Sequence, residues 1–443
     1  MRFFKDLFIS ERTFIILSAI IVLFVLGHFY PYYDALARTI LIGLIGFFIL
    51  DLIIVFQHSS SVSARRIAAE KLSNGDMNII KICIDNSTPL TLDVKIIDEL
   101  PVQLQERNFS IKGRLEAEKT TTIEYSILPK ERGEYWFGAL NLYFSTLLGL
   151  AQRRRKFEAD KMLPVYPSII QMKKFELFTI TGRLEEAGLK RQRKLGHTME
   201  FEHIRKYIRG DDYRTINWKA TARKAEVMVN QFEDEKSQPL YCAIDMGRVM
   251  KMPFEGMTLL DYAINASLAL TNVSVKKQDK AGIITFSHKL ESLLPARRRF
   301  GQMKYILELL YNQATNFKES GFEHLYAAIT HKLSQRSMIF LFTNFETLNS
   351  LYRQLPYLKA IAGRHLLVVI FFKNVELYEL RNSPVRNTEE LYIQTIAEKF
   401  AFEKKQITFE LNRNGINNIL TTPQQLTIDA INRYLEIKAR GMI

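Results

Sequence analysis

The sequence predicts a multi-domain chain: two N-terminal transmembrane helices, an immunoglobulin-like β-sandwich, and a C-terminal α/β unit of Rossmann type. Three observations carry this. Two apolar runs, Phe14–Tyr30 and Leu36–Phe56, stand near the start with only PYYDA between them. From about Ile79 to Val165, short segments alternate apolar and polar residues between turn signals. After Pro239, short apolar runs alternate with stretches whose apolar residues recur at helical spacing. The expected boundaries are 1–58 for the membrane hairpin, 59–168 for the sandwich, 169–238 for a linker with a charged segment, and 239–443 for the α/β unit. A chain of 443 residues with 47% hydrophobic content holds two or three such cores.

Each apolar run approaches the roughly 20 residues that cross a bilayer. The first has no small-residue cleavage site, and a second span follows at once, so two anchors are expected rather than a signal peptide. Tyr30, Tyr32 and Tyr33 suit a membrane–water interface. Arg2, Lys5 and Arg12 precede the hairpin, and Arg65, Arg66 and Lys71 follow it. The positive-inside bias places both ends in the cytoplasm, giving a two-pass membrane protein with its soluble domains on that side. The sequon at Asn86 is then accidental. Asp51 interrupts the second span. It is either a functional intramembrane carboxylate or, as expected for one isolated acid, a group hydrated within two turns of the cytoplasmic interface.

The formal net charge is +14, with a pI near 9.5. Cytoplasmic flanks account for much of this in a membrane protein, although an anionic partner also fits. Two cysteines, Cys83 and Cys242, lie in apolar runs, and neither a disulfide framework nor a multi-cysteine zinc site can be built from them.

In the middle region NIIKICID, TLDVKIID, TTTIEYSIL and GEYWFGALNLYF read as antiparallel strands of a sandwich. The basic run Arg153–Lys156 is either a contact for lipid or nucleic-acid phosphate or, more simply, a solvated strand edge. In the C-terminal region LYCAIDM, AGIITFS, SMIFLFTN and HLLVVIFF are strands between amphipathic helices. This order implies a largely parallel sheet with helices on both faces. Ligands bind such sheets beyond the strand carboxyl ends, where Asp245 and Asn344 fall.

Between the two regions lies the charged segment Gly196–Gln238, studded with Phe201, Ile204, Tyr207, Ile208, Ile216, Trp218 and Val229. Gly210-Asp211-Asp212 reads as a turn, and YRTINWKATAR as a helix capped by Asp211 or Asp212. In that helix Ile216 and Ala220, and Arg214 and Trp218, lie one turn apart. Arg205, Arg209, Arg214, Lys219 and Arg223 can pair with Glu200, Glu202, Asp211 and Asp212. A segment of this kind can clasp the two domains and show one face to a partner protein. Its acids can form a catalytic or metal site, or its arginines can bind phosphate. No HExxH, Gly-x-Ser-x-Gly or Walker pattern occurs, and interleaved acids cancel much of the positive field. Partner docking is therefore the favoured role. It falls to Glu200, Arg205, Tyr207, Gly210, Asp211, Asp212, Arg214, Trp218, Lys219 and Arg223.

EFEHIRKYIRGDDYRTINWKATAR, followed by FEDEKSQ and AIDMG, resembles the bacterial family called domain of unknown function 58. NSTPL, LPKERGEYWFG, LLGL, VYPSI and the closing LTTPQQLTIDAINRYLEIKARG extend the likeness along the chain. The resemblance implies that the α/β unit is von Willebrand factor A-like. It also implies gene neighbourhoods with MoxR-type AAA+ ATPases, hence a non-enzymatic adaptor in the assembly or maturation of protein complexes. Domains of that type often hold a divalent cation at a metal-ion-dependent adhesion site. Here Asp245 is retained, but Gly247 and Val249 stand in place of two serines. Glu323 falls near a threonine position, and Asn344 replaces a strand-end aspartate. Bound magnesium is therefore not expected; Asp245, Glu323 and Asn344 are the oxygens left to such a degenerate site. The alternatives are a metal-dependent or acid/base hydrolase using the segment's carboxylates, or nucleic-acid or anionic-lipid binding through the basic surface.

Overall fold

The computed structural model describes residues 6–58, 61–157, 160–181, 199–208, 211–234, 238–315, 317–382 and 387–442. These form two compact units, Met1–Tyr166 and Pro167–Ile443.

In the first unit a short strand β1 (Leu7–Ile9) leads into helix α1 (Glu11–Gly27), whose N-cap Ser10 accepts from the Arg12 amide. Helix α2 (Pro31–His58) runs back beside it. A Cβ at Gly27 would lie 2.8 Å from Asp34 N, so this tight reversal requires glycine. The stretch Pro31–Gln57 is long and apolar enough to cross a membrane. At 17 residues, α1 is shorter.

Strands β2 (Val62–Ile67), β3 (Leu72–Ser73), β4 (Asn78–Asn86), β5 (Leu92–Asp98), β6 (Ile111–Leu115), β7 (Lys119–Ile127), β8 (Gly133–Phe137), β9 (Leu140–Ser145), β10 (Ala151–Phe157) and β11 (Lys161–Tyr166) build the β-rich part. They form sheets ordered β1-β10-β9-β5-β6, β2-β4-β7 and β3-β11-β8. Alternate residues point inward, because successive side chains on a strand face opposite ways. Ile80, Ile82 and Ile84 of β4 thus meet Val94 and Ile96 of β5 and Leu142 and Phe144 of β9 in one core. Arg66 and Asp98 form an ion pair within it whose side chains are wholly buried, and the Tyr125 hydroxyl donates to the same carboxylate.

The expectation of a hydrated Asp51 is corrected. Asp51 is fully buried and accepts from the backbone amides of Leu150 and Ala151, both at 2.8 Å, and from the Thr146 hydroxyl. It thereby pins α2 to the β9–β10 turn. Thr13 of α1 reaches the same turn, donating to Leu150 O at 2.7 Å. Neither expectation for the basic run describes Arg153, since β10 lies between β1 and β9 rather than at an edge. Arg153 donates to Phe56 O at 2.7 Å and lies over the Phe56 ring, satisfying a carbonyl in the last turn of α2.

The second unit begins with α3 (Ile169–Thr181), in the region expected to be linker. The antiparallel pair β12 (Met199–Lys206) and β13 (Met228–Asp234) follows, with α4 (Trp218–Lys224) between its strands. The α/β core comprises β14 (Pro239–Asp245), the small hairpin β15 (Pro253–Phe254) and β16 (Met257–Thr258), α5 (Leu259–Lys276), β17 (Lys280–Phe286), β18 (Leu290–Arg297), α6 (Gln302–Tyr311), α7 (Phe322–Lys332), β19 (Met338–Phe342), α8 (Leu348–Ala362), β20 (Leu366–Phe372), α9 (Val375–Asn382), α10 (Thr388–Arg413), β21 (Asn417–Thr421) and α11 (Leu426–Ala439).

The sheet order is β18-β17-β14-β19-β20-β21, parallel except for β18. The first strand, β14, is flanked on opposite sides by the second and fourth, so the winding direction reverses between β14 and β19. That reversal leaves a crevice at the strand carboxyl ends. One face is covered by α5 and α11, with Leu268, Ile431 and Tyr434 against Phe340 and Val368. The other is covered by α7, α8 and α10, with Leu325, Leu358 and Ile407 against Leu341 and Val369. Helix α3 adds to the first face: Phe175 enters its core, and Glu176 accepts from Asn272 at 3.0 Å and pairs with Lys276 at 2.6 Å.

Candidate functional site

Two places gather the residues singled out in the sequence. The first is the β12–β13 hairpin, whose strands pair with each other and not with the six-stranded sheet. Arg205 on β12 makes a two-point contact with Asp211, at 2.8 and 2.7 Å, and Asp211 also accepts from the Ile208 amide at 2.9 Å. The guanidinium and the amide hold the Asp211 carboxyl below the usual carboxylate range. Asp212 caps a single 3-10 turn, Tyr213–Thr215, accepting from the Arg214 amide at 3.0 Å.

The expected continuous helix from Tyr213 is corrected. Ile216 is extended and bridges Val229, and the helix starts at Trp218 under its own N-cap, Asn217. Asn217 accepts from the Ala220 amide at 2.9 Å and donates to Asn230 at 2.8 Å, fastening α4 to β13. Ile216–Ala220 and Arg214–Trp218 are therefore not pairs on one helix. Asp211 and Asp212 are engaged separately, one by Arg205 and one by a backbone amide, rather than converging as an acid/base pair.

The hairpin exposes several large apolar and aromatic side chains among charged ones. Trp218 is 72% exposed, Tyr213 69% and Ile208 64%, and Tyr207 and Ile204 are also exposed. Arg214, Lys219 and Arg223 are exposed in the same segment, as are Asp212 and Glu226, and the Arg214 guanidinium lies 5.8 Å from the centre of the Tyr213 ring. Glu200 lies on β12 opposite Glu233; Gly210 falls outside the described residues.

The second place is the carboxyl edge of the six-stranded sheet. Asp245, at the end of β14, is fully buried. Its oxygens accept from Ser320 Oγ at 2.6 Å, Thr343 Oγ1 at 2.7 Å and the Gly247 amide at 2.8 Å. Burial pushes this carboxyl above its ordinary pKa, against the pull of those three donors. A Cβ at Gly247 would lie 2.2 Å from Ser320 Oγ. Ser320 thus occupies the space that a serine at 247 would need.

Asn344 does not join Asp245. Its Oδ1 accepts from Lys404 Nζ of α10 at 2.7 Å, and Lys404 also donates to Phe345 O at 2.5 Å. Glu323 lies in the first turn of α7. Among the described residues no group of three or more His, Cys, Asp or Glu side chains is placed to hold a metal ion. A lone carboxylate already saturated by hydroxyl and amide donors is a poor fit to a cation that takes six oxygens.

Sequence reasoning missed Ser320, Thr343 and Lys404. Ser320 and Thr343 carried a signal, a hydroxyl just before a helix start and another at a strand end. Lys404 carried none, since one lysine among several on an amphipathic helix is unremarkable.

Comparison with known proteins gives a distant picture. The chain is 22% identical over 267 residues to "Uncharacterized protein YeaD" of Bacillus subtilis (strain 168), an alignment covering 58% of this chain and 64% of that protein. Among solved structures, the CARDB domain of PF1109 from Pyrococcus furiosus matches 24% of this chain and 94% of its own length, at 9% identity and a TM-score of 0.17. A PapD-like domain of human CEP192 matches 24% of this chain and 84% of its own length, at 11% identity and a TM-score of 0.16. Residues 203–392, which take in most of the hairpin and most of the six-stranded sheet, match the family model described as "Protein of unknown function DUF58".

Proposed function

We propose that this chain is a membrane-anchored, non-enzymatic adaptor. In this account both N-terminal helices cross the bacterial inner membrane, and the β-rich part and the second unit lie in the cytoplasm. The α/β unit is of von Willebrand factor A-like type, without a resident magnesium ion. The partner is a MoxR-type AAA+ ATPase, which supplies the ATP-driven step in assembling or maturing a protein complex.

The observation that carries this reading is the hairpin's exposed set of Ile208, Tyr213 and Trp218, held on a braced scaffold with exposed Arg214, Lys219 and Arg223 in the same segment. Aromatic residues and arginine are the side chains that dominate protein interfaces, and the aromatic rings bury large areas at small entropic cost. The bracing by Arg205–Asp211 and Asn217–Asn230 holds these residues in place before binding. The two-pass arrangement draws on the apolarity of α2, on α1 lying beside it, and on the distribution of Arg and Lys.

The test is affinity capture of the full chain from detergent-solubilised membranes with a non-hydrolysable ATP analogue. A MoxR-type ATPase is expected with the wild-type chain and not with the Tyr213→Ala/Trp218→Ala variant, whose thermal transition stays unchanged because both side chains are exposed. Recovery of no such ATPase, or equal recovery with the variant, overturns the proposal.

A further inference from the structure

Beside the Asp245 cluster, the carboxyl edge opens into a cavity of ≈ 730 Å³. It lies over the ends of β20 and β21 and is closed by α9, α10 and the β15–β16 hairpin. Phe254, Leu259, Phe372, Phe400 and Leu420 give it apolar walls. This volume falls within the range of small-molecule sites, which combine apolar walls with a few polar groups.

Lys404 brings a half-buried ammonium to this lining, next to Asn344. Two of its three N–H bonds go to neutral oxygens, Asn344 Oδ1 and Phe345 O. Among the described residues it forms no ion pair within 4.0 Å. An opposing charge that acts on it is that of Glu346, an exposed residue at the cavity margin. Lys373, Lys405 and Glu376 also stand at that margin, all exposed. Burial lowers the Lys404 pKa to about 8, the mark of an ammonium that lacks a compensating anion. A buried charge is costly until it is paired. Nζ lies 5.8 Å from the centre of the Phe371 ring, and its third N–H has no hydrogen-bond partner among the described residues.

We propose that this cavity is a binding site for a carboxylate on an apolar body, with the carboxylate paired to Lys404 and the body against Phe254, Phe372 and Leu420. The carboxylate supplies the missing counter-charge, and the apolar body displaces water from the walls. A free small-molecule acid and the C-terminal carboxylate of a peptide share this chemistry. The site is separate from the hairpin, so the inference stands or falls independently of the adaptor reading.

Competitive acetylation of the full-length protein in detergent, read by mass spectrometry at individual lysines, tests this directly. The reaction is run at pH 8, where the Lys404 amine is partly unprotonated given its pKa of about 8. Exposed Lys332 on α7 serves as the internal reference. The probes are 4-phenylbutyrate, N-acetyl-Leu-Phe free acid, and the amide of each. An acid is expected to slow Lys404 acetylation about ten-fold relative to Lys332, the scale of one charge-assisted contact. The amides should have little effect. Stronger protection by the dipeptide acid identifies a peptide terminus as the source; protection by phenylbutyrate alone identifies a small-molecule acid. In the Ala401→Trp variant, which fills the cavity from α10, added acid should bring no further slowing of Lys404 acetylation beyond that of its amide. Equal effects of acids and amides, or full protection in Ala401→Trp, overturn the proposal.

Discussion

Replacing Asp51 with leucine separates two physical pictures by sign. If Asp51 faced lipid or interfacial water, leucine would lengthen the apolar span and leave the protein as stable or more so. In the structure Asp51 is fully buried and serves three donors: the Leu150 and Ala151 amides and the Thr146 hydroxyl. Leucine strands all three. A buried donor left unsatisfied costs about 1–3 kcal/mol, so three donors set the loss at roughly 3–9 kcal/mol, less whatever water recovers. Asp51→Asn keeps one carbonyl oxygen and should cost about half as much. Thermal unfolding of the detergent-solubilised protein measures the loss. Limited proteolysis locates it, since the β9–β10 turn should become a cleavage site in Asp51→Leu. An unchanged or raised transition temperature for Asp51→Leu, with the turn still protected, would refute the latch.

Other expectations follow from the same geometry. Lys404 has a folded pKa of about 8 against an ordinary 10.5, so between these values the unfolded chain binds more protons and stability rises with pH. The rise is at most about 3 kcal/mol. It should be absent in pH-dependent denaturation of Lys404→Met, and identical slopes would count against it. Asp245 shifts upward, so the folded chain holds the extra proton and stability falls as pH rises from the ordinary carboxylate range through the raised value. Asp245→Asn should flatten that part of the profile. Gly247→Ser should destabilise by about 1–3 kcal/mol, because its Cβ meets Ser320 Oγ at 2.2 Å. Added magnesium should not restore that stability in a thermal-shift assay; full rescue would show a working cation site.

Much of the fold was legible because periodicity reports burial. The all-buried strands β14, β19 and β20 appear as unbroken apolar runs, and β4 and β5 as strict alternation. What escaped was decided by contacts distant in sequence. Asp51 lies about a hundred residues from its partners, and nothing in the second apolar run shows that a turn will reach it. The α4 start was misplaced because two good caps, Asp212 and Asn217, stand five residues apart. Local propensity cannot say that Ile216 leaves the helix to pair with Val229. At the sheet edge Asp245 was recognised, but its neighbours Ser320 and Thr343 come from other crossovers, and Lys404 reaches Asn344 only because α10 crosses the strand ends.

In the proposed adaptor role, the exposed hairpin is where a MoxR-type ATPase docks. Photo-crosslinking in intact cells, from an unnatural amino acid at position 218 and, as control, at Arg353 on the exposed side of α8, tests it most directly. The account predicts an ATP-enhanced crosslink to a MoxR-type ATPase from position 218 and none from 353. Crosslinking to that ATPase only from 353, or from neither position, would contradict it.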